Sequence, residues 1–132
     1  YKISKNKLDA VFGSRFLDKS KVIDYPLKKL IYNRIFNNLV KIMFFSNYND
    51  FTNAFKIYDK KILKEFRPYV SENFNIFLEL PLKTIVRKKN VKIISINWRN
   101  RKKGKSKFKI NELSSKYIFT LLYCFFEKIL LR

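Results

Sequence analysis

The residues best equipped for chemistry crowd one run near the end of the chain, WRNRKKGKSKFK at 98–109, where Arg99, Arg101, Lys102, Lys103, Lys105, Lys107 and Lys109 surround Gly104 and Ser106. Guanidinium and ammonium groups on a glycine-containing loop suit anionic oxygen, above all phosphate. A P-loop has the Gly104-Lys105-Ser106 ending, but the pattern needs another glycine five positions earlier, where Arg99 stands, and no strand, glycine-rich turn and helix follow in order. A nucleic-acid interface would use the same cations on several phosphates and stack Trp98 and Phe108 on bases. No RNA- or DNA-binding module signature accompanies it, which makes nucleic acid the disfavoured partner. The plain alternative is a solvated basic hairpin tip with no ligand.

Composition narrows the chemistry further. Cys124 is the single cysteine and histidine is absent, which removes disulfide frameworks, Cys/His zinc sites and Ser-His-Asp or Cys-His nucleophiles. Thirty Lys and Arg against ten Asp and Glu give a formal charge of +20, so anionic partners are expected: nucleotide phosphates, nucleic acid or an anionic membrane surface. Lys, Asn, Ile and Phe are also the residues that AT-rich codons favour, so the placement of the charges says more than their sum.

The elements that must position these groups can be read from pattern. With 47% hydrophobic and 17% aromatic residues, the 132-residue chain can bury one core. LDAVFGSRF at 8–16 reads as a short buried strand that Gly13 ends, delivering Arg15 to an edge or loop. Pro26 opens an amphipathic helix over 26–45, with Leu27, Leu30, Ile31, Ile35, Leu39 and Ile42 on one face. Its other face carries Lys28, Lys29, Asn33, Arg34, Asn37 and Lys41.

FTNAFKIY at 51–58 alternates loosely as a strand, and Asp59 caps a short helix. A longer helix is expected over 75–88, with Pro81 marking a kink or a later start. VKIISINW at 91–98 is the clearest strand, and a final helix is expected with Asn111 as its cap. Its densest apolar run, about ten residues, is short of the roughly 20 that span a bilayer. That helix packs on this protein's core or lies in a membrane interface, helped by Lys116, Lys128 and Arg132. Strands alternating with helices predict an α/β fold.

Several blocks then fall in a shared order. Arg101 to Lys107 has the form R-x-x-G-x-S-K; DAVFGSRF has D-x-V-x-G-S-R; KKLIYNRIFN is similar to R-x-x-x-S-R-x-x-N, with Lys29 and Asn33 in place of Arg and Ser. NDFTNAFKIYDKKIL is similar to D-x-T-x-G-F-R and its helix, with Ala54 for Gly and Lys56 for Arg; Glu79 lies on the helix before the last strand. Over residues 8–109 the chain thus resembles family 2 glycosyltransferases of the dolichol-phosphate mannose synthase type.

That resemblance implies a GT-A (Rossmann-like) fold, with residues 1–110 as the acceptor-side portion of a catalytic domain and 111–132 as a C-terminal amphipathic, membrane-associated helix. It implies a nucleotide-sugar donor, a polyprenyl-phosphate or glycan acceptor, and a divalent Mg2+ or Mn2+ ion held by an Asp-x-Asp motif. No Asp-x-Asp occurs in these residues, so the donor half and the metal are expected upstream of Tyr1, and the chain alone is expected to be inactive. Arg101, Gly104, Ser106 and Lys107 would bind the donor diphosphate, and Arg15, Lys29 and Asn33 the acceptor phosphate. A hydroxyl acceptor would need a carboxylate base, for which Asp50 and Glu79 are the candidates. Each has a structural alternative: Arg15 pairing with a core-edge carboxylate, Asp50 capping a turn, Glu79 partnering a buried Arg. The expected setting is cytoplasmic, peripheral to the cytoplasmic membrane; a non-enzymatic RNA-binding domain and a membrane-surface adaptor are the rival readings.

Overall fold

The computed structural model describes residues 7–103 and 110–131, and the side chains of 7–103 and 114–131. In chain order the elements are β1 (Ala10–Ser14), β2 (Val22–Ile23), α1 (Leu27–Phe44), β3 (Lys56–Tyr58), α2 (Lys60–Glu65), α3 (Ile76–Val86), β4 (Val91–Ser95), β5 (Trp98–Arg99) and α4 (Ile110–Leu130). They form a mixed α/β domain.

All five residues of β1 are buried, because the strand is the centre of a three-stranded sheet. It pairs antiparallel with β3, Val11 opposite Ile57, and parallel with β4, Phe12 opposite Ile93. Burial on both faces explains why β1 lacks polar alternation. Gly13 lies inside this strand rather than ending it. A Cβ there would stand 2.9 Å from Phe55 Cδ1 and Ile96 Cδ1 and 3.0 Å from the Phe55 carbonyl oxygen, so any larger residue would require Phe55 and Ile96 to shift. The expected 91–98 strand is two: β4 joins the central sheet, and β5 pairs parallel with β2. The strand expected over 51–58 contracts to β3, since residues 51–53 are taken up by a turn.

Asp59 caps α2 as expected, its carboxylate accepting from the Lys61 amide at 2.7 Å. Helix α3 runs through Pro81, and Asn111 stands within α4 rather than before it. Between α3 and α4, Asn75 Nδ2 donates to Thr120 Oγ1 at 3.0 Å. The core gathers Phe12, Phe44, Phe51, Phe66, Leu78 and Leu82 between the sheet and these helices.

Helix α1 departs from the usual arrangement, in which an apolar stripe faces the core. Asn37, Val40 and Phe44 are its buried residues, with Asn33 and Arg34 partly covered beside them. Leu27, Ile31, Ile35, Leu39 and Ile42 all face outward. The side that looks polar in the sequence is the one that meets the rest of the domain.

Candidate anion-binding site

The inward polar side of α1, the end of β1 and the 46–53 turn meet in one hydrogen-bonded cluster. Beyond Ser14 the chain leaves the sheet, which places Arg15 over the turn carrying Asp50. Arg15 Nε donates to Asp50 Oδ2 at 2.9 Å, Nη2 to Oδ1 at 2.7 Å, and the Arg15 backbone N–H to Oδ2 at 3.0 Å. Burial by itself depresses the Arg15 guanidinium, but the hydrogen bonds and charge of Asp50, with help from Tyr25, hold it above its ordinary value.

From α1, Arg34 Nη1 donates to the Asn49 carbonyl at 2.9 Å, and the guanidinium lies 3.9 Å from the centre of the Phe16 ring. Asn37 Oδ1 accepts from the Phe51 amide at 2.6 Å, and Asn33 Nδ2 donates to Thr52 Oγ1 at 3.0 Å. These two bonds register α1 against the turn, so the Asn side chains organise the site from within. Burial holds the Arg34 guanidinium below its ordinary value, opposed by the charge of Asp50 and reinforced by that of Arg15. Two guanidiniums therefore share the field of one carboxylate, and the cluster carries positive charge in excess.

Lys56 borders the same cluster. Its Nζ donates to the Phe51 carbonyl at 2.8 Å and to the Asn53 carbonyl. Burial, resisted by Asp50 and reinforced by Arg15, pulls the Lys56 ammonium down to about 7. Aromatic rings border it: the Arg15 guanidinium is 5.4 to 5.8 Å from the ring centres of Phe16, Tyr25 and Trp98, and the Tyr25 and Trp98 rings meet tilted at 43°, 4.7 Å between centres.

The site residues expected from sequence divide accordingly. Arg15, Asn33 and Asp50 come together here, and Lys29 stands exposed one helical turn before Asn33 on the same side of α1. Arg101 is exposed two residues beyond β5, whose Trp98 borders the cluster; Gly104, Ser106 and Lys107 lie outside the described residues. Glu79 belongs elsewhere. It is fully buried, 3.0 Å from Lys83 Nζ, and accepts from the Val70 and Ser71 amides at 3.0 and 2.8 Å. Asp50 is equally buried and committed to Arg15, so both carboxylates have structural partners. Its partner makes Glu79 a buried-lysine pair, where an arginine was the structural alternative.

Arg34, Tyr25 and Lys56 were missed as site residues. Arg34 had a signal, since it matches the second Arg of R-x-x-x-S-R-x-x-N, as Lys56 matches the Arg of D-x-T-x-G-F-R; Tyr25 had none. A separate depression of about 300 Å³, lined by Val70, Glu72, Asn75, Ser115, Lys116 and Phe119, shares no residue with this cluster. Among the described residues no group of three Asp, Glu or Cys side chains is placed to hold a metal ion. No protein-family model, curated protein or solved structure matches this chain.

Proposed function

We propose that the chain is the acceptor-side portion of a GT-A glycosyltransferase domain of the family 2 type, moving a sugar from a nucleotide-sugar to a polyprenyl-phosphate or glycan acceptor. The observation that carries this reading is convergence. The D-x-V-x-G-S-R, R-x-x-x-S-R-x-x-N and D-x-T-x-G-F-R-like blocks, far apart in sequence, meet in one cluster through Arg15, Arg34, Asn33, Asn37 and Asp50. The strand leading into the R-x-x-G-x-S-K run ends at its edge, with Trp98 beside Arg15.

Within this reading the phosphate acceptor is favoured over the hydroxyl. A phosphate monoester is already ionised and needs no base, whereas Asp50 and Glu79 are both buried in ion pairs. Arg34, Lys29 and the remaining N–H groups of Arg15 meet the acceptor phosphate, with Asp50 orienting Arg15. Arg101, Gly104, Ser106 and Lys107 close on the donor diphosphate and offset the repulsion between two anions. The divalent ion that the resemblance implies would be held by an Asp-x-Asp motif that these residues do not contain, and would supply further charge stabilisation. The setting is the cytoplasmic face of a membrane.

The test is calorimetric titration of the chain with farnesyl phosphate, farnesol and inorganic phosphate. Saturable binding of farnesyl phosphate, weaker for farnesol and reduced at least tenfold by Arg34→Gln, is the expected result. Equal affinity for farnesol and its phosphate would remove the acceptor site. Tight, steeply salt-dependent binding of an oligoribonucleotide that farnesyl phosphate does not displace would transfer the case to RNA binding.

A further inference from the structure

Strands β1 and β4 begin at the end of the sheet opposite Arg15, and each is preceded by a lysine in the left-handed backbone conformation. Lys7 and Lys88 both have a φ of 52° and stand three residues ahead of Ala10 and Val91, which face each other in the parallel register. Lys88 also sits where the last carbonyls of α3 are capped: its N–H donates to the Ile85 carbonyl and the Lys89 N–H to the Thr84 carbonyl, both at 3.0 Å. Glycine or asparagine is the usual occupant of that place. Asn90 Nδ2 donates to the Lys7 carbonyl at 3.3 Å and the Asp9 N–H to the Asn90 carbonyl at 2.8 Å, tying the two strand starts together. The Asp59 N–H donates to the Asp9 carbonyl at 2.8 Å, and Glu65 pairs with Lys89, which brings α2 to the same end.

Positive charge collects there. Residues 7–9, 59–65 and 87–92 hold eight basic residues against three acidic ones. All three carboxylates are engaged, Asp9 by the Asn90 amide at 2.7 Å, Asp59 by the Lys61 amide at 2.7 Å and Glu65 by Lys89. Lys7, Lys60, Lys61, Lys64, Lys88 and Lys92 are exposed and enter no ion pair among the described residues. We propose that this end of the domain is a sequence-independent binding surface for the phosphate backbone of a double-stranded nucleic acid. None of the three segments carries an exposed large apolar residue. A protein partner would want an apolar or aromatic anchor, and lysine is depleted at such interfaces. A single strand would want exposed rings on which its unstacked bases could lie. A duplex needs neither, because lysines at fixed stations release its counterions and hold it through charge. The paired strand starts and the cap of α3 fix those stations. Lysine at two places that suit glycine or asparagine keeps two of the charges there against the preference of the backbone. The inference stands apart from the enzymatic reading, whose cluster lies beyond the other end of β1.

Fluorescence anisotropy of labelled DNA and RNA duplexes titrated with the full chain tests it. Both duplexes should bind, and single strands of the same length should bind at least tenfold more weakly. Lys7→Asn, Lys88→Asn and Lys60→Gln together should weaken duplex binding at least tenfold and make its salt slope shallower by about 2 to 3. Asparagine accepts the left-handed conformation, so this variant should melt no lower than the wild type. Lys60→Gln, Lys61→Gln and Lys64→Gln, confined to exposed positions of α2, should act in the same direction. Lys19→Gln, Lys28→Gln and Lys116→Gln remove the same charge from exposed positions elsewhere and should change the affinity by less than about threefold. Equal losses in the two kinds of variant would mean attraction by net charge alone and overturn the proposal. A single-stranded oligoribonucleotide that binds as tightly as the duplex would overturn it too, and displacement of the duplex by polyglutamate at equal charge would do so in favour of an acidic protein.

Discussion

Arg15 and Asp50, 35 residues apart, are locked by three hydrogen bonds of 2.7 to 3.0 Å that fasten the exit of the central strand to the turn after α1. The pair is buried, with side-chain exposures of 8% and 0%. A planar guanidinium facing a carboxylate through Nε and Nη2 is the geometry in which arginine outperforms lysine. The same guanidinium lies 5.4 to 5.8 Å from the ring centres of Phe16, Tyr25 and Trp98.

Asp50→Asn should therefore destabilise the protein by about 3–5 kcal/mol, because it strands a buried guanidinium without its countercharge. Urea unfolding measures this. The Arg15→Met, Asp50→Leu double variant should recover much of the loss, since removing both charges removes the desolvation penalty along with the attraction. A loss under about 1 kcal/mol for Asp50→Asn would mean that the pair is solvated and contributes little.

Glu79 offers a contrasting case. A catalytic base must reach its substrate, but Glu79 binds Lys83 and the amides of Val70 and Ser71, while Lys83 donates to the carbonyls of Phe66 and Pro68. The pair thus holds the 66–71 segment against α3. Glu79→Ala should speed hydrogen exchange at the Val70 and Ser71 amides by at least tenfold, while the β1 amides, remote from the substitution, exchange in proportion to global stability alone. Unchanged protection at those two amides would show that the segment is held by other contacts.

How much of this was legible in the sequence depended on which force fixed each element. The burial of β1, the length of α1 and the Asp59 cap follow from local pattern, and all three were readable. Gly13 was misplaced because what demands glycine there is Phe55 approaching across the sheet, a contact that no local window contains. The orientation of α1 was hidden for a similar reason. Periodicity shows that a stripe exists but not which way it faces, and here Asn37 and Asn33 satisfy the turn at 51–52 better than leucines could. The pairing of β2 with β5 was invisible because two-residue strands carry no pattern. Arg15, Asn33 and Asp50 were found through the resemblance of their surrounding blocks, and their mutual contact is a product of the fold.

Cys124 should be inert while the protein is folded. Burial, with the negative charges of Glu79 and Glu127, pushes its thiol up to about 12 from an ordinary 9.0. Only the thiolate attacks a disulfide reagent, so a shift of this size lowers the reactive fraction at pH 8 about a thousandfold, before any steric exclusion. Reaction with a chromogenic disulfide should be correspondingly slow in native buffer and fast in denaturant. Rapid native labelling would place Cys124 at the surface, contrary to its packing among the core residues of α4.

Lys56 makes stability depend on pH in a direction that can be fixed in advance. Its ammonium titrates at about 7 in the folded protein, through burial above all, and at its ordinary 10.5 in the unfolded chain. Between those values the unfolded state holds a proton that the folded state has released, so stability rises with pH across the window. Below pH 7 both states are protonated and the full penalty of burying the charge is present. The urea midpoint of the wild type should climb between pH 7 and 9.5. Lys56→Met should flatten that climb and unfold at higher urea than the wild type at pH 6, since it removes the buried charge but keeps the aliphatic stem. Parallel pH profiles for the two proteins would mean that Lys56 stays charged in the cluster, its ammonium held by the Phe51 and Asn53 carbonyls and by the field of Asp50.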